Sequence, residues 1–427
     1  MRGVCLFAIL LLWACGRDKV VQLSGRVEGV DSVIVFYVGE KHYSFNLDKD
    51  RYFSGELPLE ESTYAFVYPL NATVFLAPGE DLEISLNGSV SSSVQYKGSL
   101  GAINGYLKDR LKQQWLGNDI FQKNETDFVS EVQSIIDRQI LLLEAKNLGE
   151  DFTFHERERI RYCYAKQVLY YPQFHYKDTL NFSSNGVFDK FVDSFSIDND
   201  NLLIFSDFKQ FALNYVYYRG KDLNIKDFVE YILRTVKSDN IREYLLSEVV
   251  YRHFWENGLE YVDYLLPTCW QVVKDSVKME RINGIVDRWR QLSTGVTAPA
   301  LELKKDGKNY CLRDFAGSYV YICAWSAWSN PWKAKETWND IIREFKGKNI
   351  RFLTCYMGGD DREKLVKLVN QVEGEHFIIN DVATFRDNYM VNSLPRYLFL
   401  DPSGRIVSAN AVAPSESIKL LFRSVGL

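Results

Sequence analysis

Hydrophobic spacing changes twice along this chain, and each change limits what the segment can become. From residue 16 to 98 strand-like runs repeat apolar residues at every second position, as in Val33-Val35-Tyr37, Tyr43-Phe45-Leu47 and Leu82-Ile84-Leu86. A period of two sends every second side chain to the same face, the pattern of a half-buried strand. Turn-forming stretches such as Asp48-Lys49-Asp50 and Pro78-Gly79-Glu80-Asp81 separate these runs. The segment is therefore expected to be a small antiparallel β-sandwich. Between residues 99 and 295 the period lengthens. Phe128, Val132, Ile135, Ile136, Ile140 and Leu143 recur at helical spacing, with Asn124 or Thr126 as N-cap and Gly149 beyond the end. Similar stripes run through 157–170, 201–218, 227–236, 241–255 and 272–292, which predicts an all-α bundle or irregular array without a fixed repeat. From 296 to 427 the signals alternate. Val320–Ala324 is a short β-prone run that reads as a buried central strand. Trp338, Ile341, Ile342 and Phe345 mark a helix after Pro331, and Ile350–Tyr356 is the next strand. The last part is thus expected to be α/β.

Three parts suit a chain of 427 residues at roughly 150 per domain. A formal charge of −5 and the lack of an extended Lys/Arg stripe argue against a nucleic-acid partner. The five histidines, His42, His155, His175, His253 and His376, are scattered, and none sits at metal-ligand spacing. No G-x-S-x-G, P-loop or G-x-G-x-x-G occurs, so neither a cofactor nor a metal is expected. The run His155-Glu156-Arg157-Glu158-Arg159 reads as a solvated helix start. Gly358-Gly359-Asp360-Asp361 reads as a strand-to-helix turn capped by aspartate rather than an anion nest.

The N-terminus points to a membrane. Met1-Arg2-Gly3 is a short positive region, and Val4–Trp13 is an apolar run of signal-peptide length, about half of what a spanning helix needs. It ends in Leu12-Trp13-Ala14-Cys15, which resembles a bacterial lipobox. That resemblance implies residues 1–15 as a lipoprotein signal with its lipobox, lipid on the sulfur of Cys15, and a chain held in the cell envelope through that lipid. At about 0.8 kcal/mol per buried methylene, two or more acyl chains anchor a protein without a transmembrane helix. Gly16 lacks the aspartate of lipoproteins retained at the inner membrane, so the outer membrane is the expected address. The alternative is an ordinary signal peptide in which Cys15 is incidental.

The octapeptide Trp325-Ser-Ala-Trp-Ser-Asn-Pro-Trp332 resembles the active-site turn of thioredoxin-type thiol oxidoreductases, Trp-x-x-Trp-Cys-x-Pro-Cys, with both cysteines replaced. Trp328, Ser329, Asn330, Pro331 and Trp332 would form this degenerate turn, with Ser329 in the place of the attacking sulfur and Trp332 in that of the resolving one. Thr297-Ala298-Pro299-Ala300-Leu301-Glu302-Leu303 is similar to the start of the membrane-tethered TlpA/ResA and AhpC/TSA-type thioredoxin-like domains. Ser393-Leu394-Pro395-Arg396, followed by Tyr397 to Ile406, is similar to their cis-proline segment. The resemblance implies a cis Pro395 and a thioredoxin-like domain over 296–427. It also implies a groove bordered by Trp325, Leu394, Pro395 and Arg396, with Arg396 making the rim more basic. Val74–Leu82, Tyr96-Lys97-Gly98-Ser99 and Asn104 resemble the β domain that precedes such a domain in bacterial lipoproteins.

A serine hydroxyl cannot form a disulfide and an indole cannot resolve one, so no catalytic residue is assigned. Ser329 is expected instead to cap the helix after Pro331. Beyond the signal and Cys15, the cysteines are Cys163, Cys269, Cys311, Cys323 and Cys355, an odd set without C-x-x-C. Cys323 and Cys355 lie on neighbouring predicted strands, where they read as buried hydrophobes before they read as a disulfide. The reading that follows is a redox-inactive envelope lipoprotein whose groove binds a peptide or protein, the backbone pairing surviving the loss of the sulfurs. The alternatives are a thiol–disulfide oxidoreductase working through a displaced cysteine, and a structural component of an envelope complex.

Overall fold

The computed structural model describes residues 19–29, 32–39, 41–86, 93–110, 115–175, 182–329, 335–358, 369 and 371–427. Two compact units emerge: one reaches Leu223 and takes in Tyr231–Arg242, the other consists of Asn224–Glu230 and Glu243–Leu427. The helical stretch of the sequence is shared between them.

The first unit opens with β1 (Val20–Val27), β2 (Val33–Val38), β3 (Lys41–Asn46), β4 (Tyr52–Pro58), β5 (Thr63–Tyr68), β6 (Ala72–Leu76), β7 (Asp81–Leu86) and β8 (Gln95–Lys97). They form two four-stranded sheets, β4-β1-β7-β8 and β3-β2-β5-β6. Phe36 and Phe45 of one sheet meet Phe53 of the other at ring separations of 6.3 and 5.9 Å. The expected sandwich is not wholly antiparallel, because β1 and β7 run parallel, Leu23 beside Leu82 and Gly25 beside Ile84. Alternation fixes which face a side chain occupies but not strand direction. With five strands between β1 and β7, no hairpin forces them to oppose each other. Gly25 permits the close approach, since a Cβ there would lie 1.9 Å from the Ile84 carbonyl oxygen.

Helices follow: α1 (Gly101–Arg110), α2 (Asn118–Phe121), α3 (Glu125–Glu144), α4 (Glu150–Val168), α5 (Tyr171–His175), α6 (Val187–Asp193) and α7 (Ser206–Arg219). Asn104, buried on α1, clasps the backbone of Phe75 on β6 from both sides. Its Oδ1 accepts from the Phe75 N–H at 2.7 Å and its Nδ2 donates to the carbonyl at 3.0 Å. Asn124 is the cap of α3, accepting from Asp127 N. The charged run on α4 is not a solvated helix start. Glu156 is fully buried and Arg159 nearly so, because both fall on the stripe that also carries Phe152, Ile160 and Cys163.

Helices α8 (Ile225–Thr235) and α9 (Asp239–Asn257) cross between the units. The second unit continues through α10 (Val262–Val272), α11 (Ser276–Arg290), β9 (Glu302–Lys305), β10 (Lys308–Cys311), β11 (Tyr319–Trp325), α12 (Lys335–Glu344), β12 (Ile350–Tyr356), β13 (Glu375–Ile379), α13 (Val382–Asn388), β14 (Arg396–Leu400), β15 (Ile406–Ser408) and α14 (Glu416–Ser424). Its seven strands are ordered β10-β9-β13-β12-β11-β14-β15. β11, β12 and β13 run parallel, and β14 returns antiparallel to β11. Tyr321, Cys323 and Trp325 point to one face of β11, where they join Phe352, Trp338, Ile341, Ile418 and Phe422 in a core. The register sets Cys323 beside Thr354 and Cys355 beside Ala324. The two thiols therefore leave the sheet on opposite faces, and both are free.

Candidate functional site

β11 is the strand that delivers the turn. Its last residue, Trp325, is 1% exposed, and its ring packs 5.0 Å from that of Tyr356. The parity that puts Tyr321 and Cys323 inside puts Trp325 inside as well, so it is a core residue and not a wall of the groove. Ser326 is buried too, Ala327 half-buried, and Trp328 then emerges at 70% exposure. Ser329 closes the turn onto Ser326. Its N–H donates to the Ser326 carbonyl at 3.0 Å. Its hydroxyl donates to the same carbonyl at 2.9 Å and accepts from the Ser326 N–H at 3.1 Å. Among the described residues its partners thus lie behind it in the chain, not in the helix ahead, which is described from Lys335. Asn330, Pro331 and Trp332 lie outside the described residues, as do Gly359-Asp360-Asp361 and Cys15.

The second strand of the site is β14. The Leu394–Pro395 bond is cis, and Leu394 and Pro395 are half-buried. Neither the N–H nor the C=O of Leu394 has a backbone partner among the described residues. Arg396 does not form a basic rim. It is 2% exposed, since as the first residue of β14 it turns inward beside Ala324. Its Nη2 donates to the Met390 carbonyl at 3.0 Å and to Asn392 Oδ1 at 2.8 Å. Asn392 in turn donates to the Trp255 carbonyl at the end of α9. The Trp289 ring of α11 lies 6.0 Å from the Arg396 guanidinium carbon. Trp255, Trp289 and Asn392 are site neighbours that sequence reasoning missed. Two of them come from helices more than 100 residues upstream, and no local pattern marks them.

No described thiol near the turn is suited to attack. Burial pushes the Cys323 thiol far above its ordinary value, and it does the same to Cys355, with Cys323 adding to the effect. Elsewhere, burial raises Cys163 to about 11 and Cys269 to about 12. Cys311 is exposed at the end of the edge strand β10. Among the described residues no cluster of three or more His, Cys, Asp or Glu could hold a metal ion. None of their helices is long and apolar enough to cross a membrane.

No family model matches the chain, and no curated protein does. Solved structures match about a third of it. A protein of Bacteroides vulgatus described as a thiol-disulfide oxidoreductase is 29% identical, covering 32% of this chain and 98% of its own, with a TM-score of 0.30. A Chlorobium tepidum protein described as a thiol:disulfide interchange protein is 21% identical over 31% of this chain and 97% of its own, TM-score 0.27. The exposed lipoprotein thioredoxin of Streptococcus pneumoniae is 22% identical over 30% and 99%, TM-score 0.25. Each of these three structures matches about a third of this chain and nearly the whole of its own.

Proposed function

We propose that this chain is a lipid-anchored protein of the bacterial cell envelope whose thioredoxin-like domain has no thiol–disulfide activity and instead grips an extended segment of a partner protein. The observation that carries the reading is Ser329. It stands where the attacking thiolate would be, with its hydroxyl turned back onto Ser326. A displaced cysteine is a poor substitute, since Cys323 and Cys355 are fully buried with raised thiol pKa values. A thiol held protonated is not a nucleophile. Binding needs no sulfur. The backbone of Leu394, without a backbone partner among the described residues, offers a donor and an acceptor to an extended chain, and the exposed face of Trp328 offers flat apolar contact.

Two experiments test the two halves of this reading. With a photo-crosslinking residue at Leu394, a discrete protein adduct is expected in the native envelope. Trp328→Ala should lower its yield about tenfold, the effect of losing one interface tryptophan, while circular dichroism stays unchanged. Absence of any adduct removes the binding proposal. For the anchor, radiolabelled palmitate should appear in the wild-type chain and vanish in Cys15→Ser, with the chain moving to the soluble fraction. Label retained by the variant would mean that Cys15 is not the attachment point.

A further inference from the structure

Arg396 is buried, and among the described residues no opposite charge pairs with it. Its hydrogen bonds run from Nη2 to two neutral oxygens, while Nε and Nη1 are buried with no acceptor among the described residues. Burial lowers its pKa to about 10, so it remains a cation at neutral pH. The indole of Trp289 lies across it at 6.0 Å. Trp289 is 6% exposed, and its Nε1 is likewise buried without an acceptor. Every unmet group here is an N–H donor. Two neighbouring side chains that present only donors, one of them charged, lack an anion and not merely a hydrogen-bond partner.

We propose that Arg396 and Trp289 together hold a monatomic anion of chloride size, bound by Nε and Nη1 of Arg396 and by Nε1 of Trp289. The donors have essentially no solvent exposure, so the occupant must be small enough to be enclosed. Entry requires the Trp289 indole to move aside. Once bound, the ion neutralises Arg396 and fastens the Met390–Arg396 segment, with Pro395 in it, to α11. This site stands independently of partner binding or lipid attachment.

The test uses the full chain after residue 15, melted in sodium chloride and sodium gluconate mixtures of constant ionic strength. Chloride is expected to raise the wild-type midpoint along a saturating curve by about 2 °C or more, the signature of an ion bound only by the folded state. Arg396→Met should show no chloride response, and in gluconate it should melt no lower than wild type, because an unpaired buried charge has been removed. Trp289→Phe keeps the ring but loses the N–H, and should shift the chloride curve to several-fold higher concentration. A wild type indifferent to chloride, or identical chloride responses in all three proteins, would overturn the proposal. If Arg396→Met does not fold, the Trp289→Phe curve decides alone.

Discussion

The chain after residue 15 is expected to leave the disulfides of insulin intact under conditions in which a Ser329→Cys/Trp332→Cys double variant reduces them. Removing the nucleophile from an enzyme that depends on it costs roughly 10⁴–10⁶ in rate. Even an imperfect restoration should therefore raise turnover by at least about 10²-fold over the natural protein. β11 leads directly into the Ser326–Ser329 turn, and β14, beginning at Arg396, pairs beside it. Ser329→Cys alone should behave differently. It supplies an attacking sulfur without a second thiol to release the adduct, so on treatment with oxidised glutathione it should accumulate as a mixed disulfide, one reduced glutathione leaving, visible as a mass increase. If instead the natural chain reduces insulin, and loses that activity in Cys323→Ala or Cys355→Ala, a buried thiol does the work and the binding reading fails.

Several parts of this site were legible before the fold was known. β11 and β12 follow from short apolar runs with clear ends, and the bounds of β12 coincide with those expected, Ile350–Tyr356. Pro395 is cis, as the resemblance implied. Trp325 shares one face of β11 with Tyr321 and Cys323 by the parity of a strand, so its place in that core was readable in principle. The same holds for Glu156, which sits in a run of five polar residues but lies four residues from Phe152 and from Ile160. Arg396 was not legible. Arginine is almost never fully buried without a partner, and what encloses it, Trp289 and the Met390–Asn392 segment, belongs to other elements. The parallel β1–β7 pair was equally hidden, since it joins strands whose alternation is the same in either direction.

Glu156→Met should lower the unfolding free energy by about 3–5 kcal/mol, the effect of removing one partner from a buried ion pair. The Glu156 carboxylate is fully buried and takes a fork from Arg159, with Nε and Nη2 each at 2.6 Å. It also accepts from the Tyr64 hydroxyl of β5 at 2.8 Å, while Arg110 Nε stands 3.7 Å away. Burial, and then the Glu156 charge, push the Tyr64 phenol well above its ordinary pKa. Burial alone would lower the pKa of Arg159, but the carboxylate overrides it and holds the guanidinium above its usual value. Asp207 stands 3.8 Å from Arg159 Nη1 and is already engaged by Lys166 at 2.6 Å. Two buried guanidinium groups, those of Arg110 and Arg159, would then lose the Glu156 carboxylate. Urea denaturation should show the loss as a lower midpoint with an unchanged slope. The double variant Glu156→Met/Arg159→Met should be more stable than the single one, because it removes the charge that the first change strands. If the double variant is instead less stable by the sum of the two single effects, Glu156 contributes through packing and not through its charge.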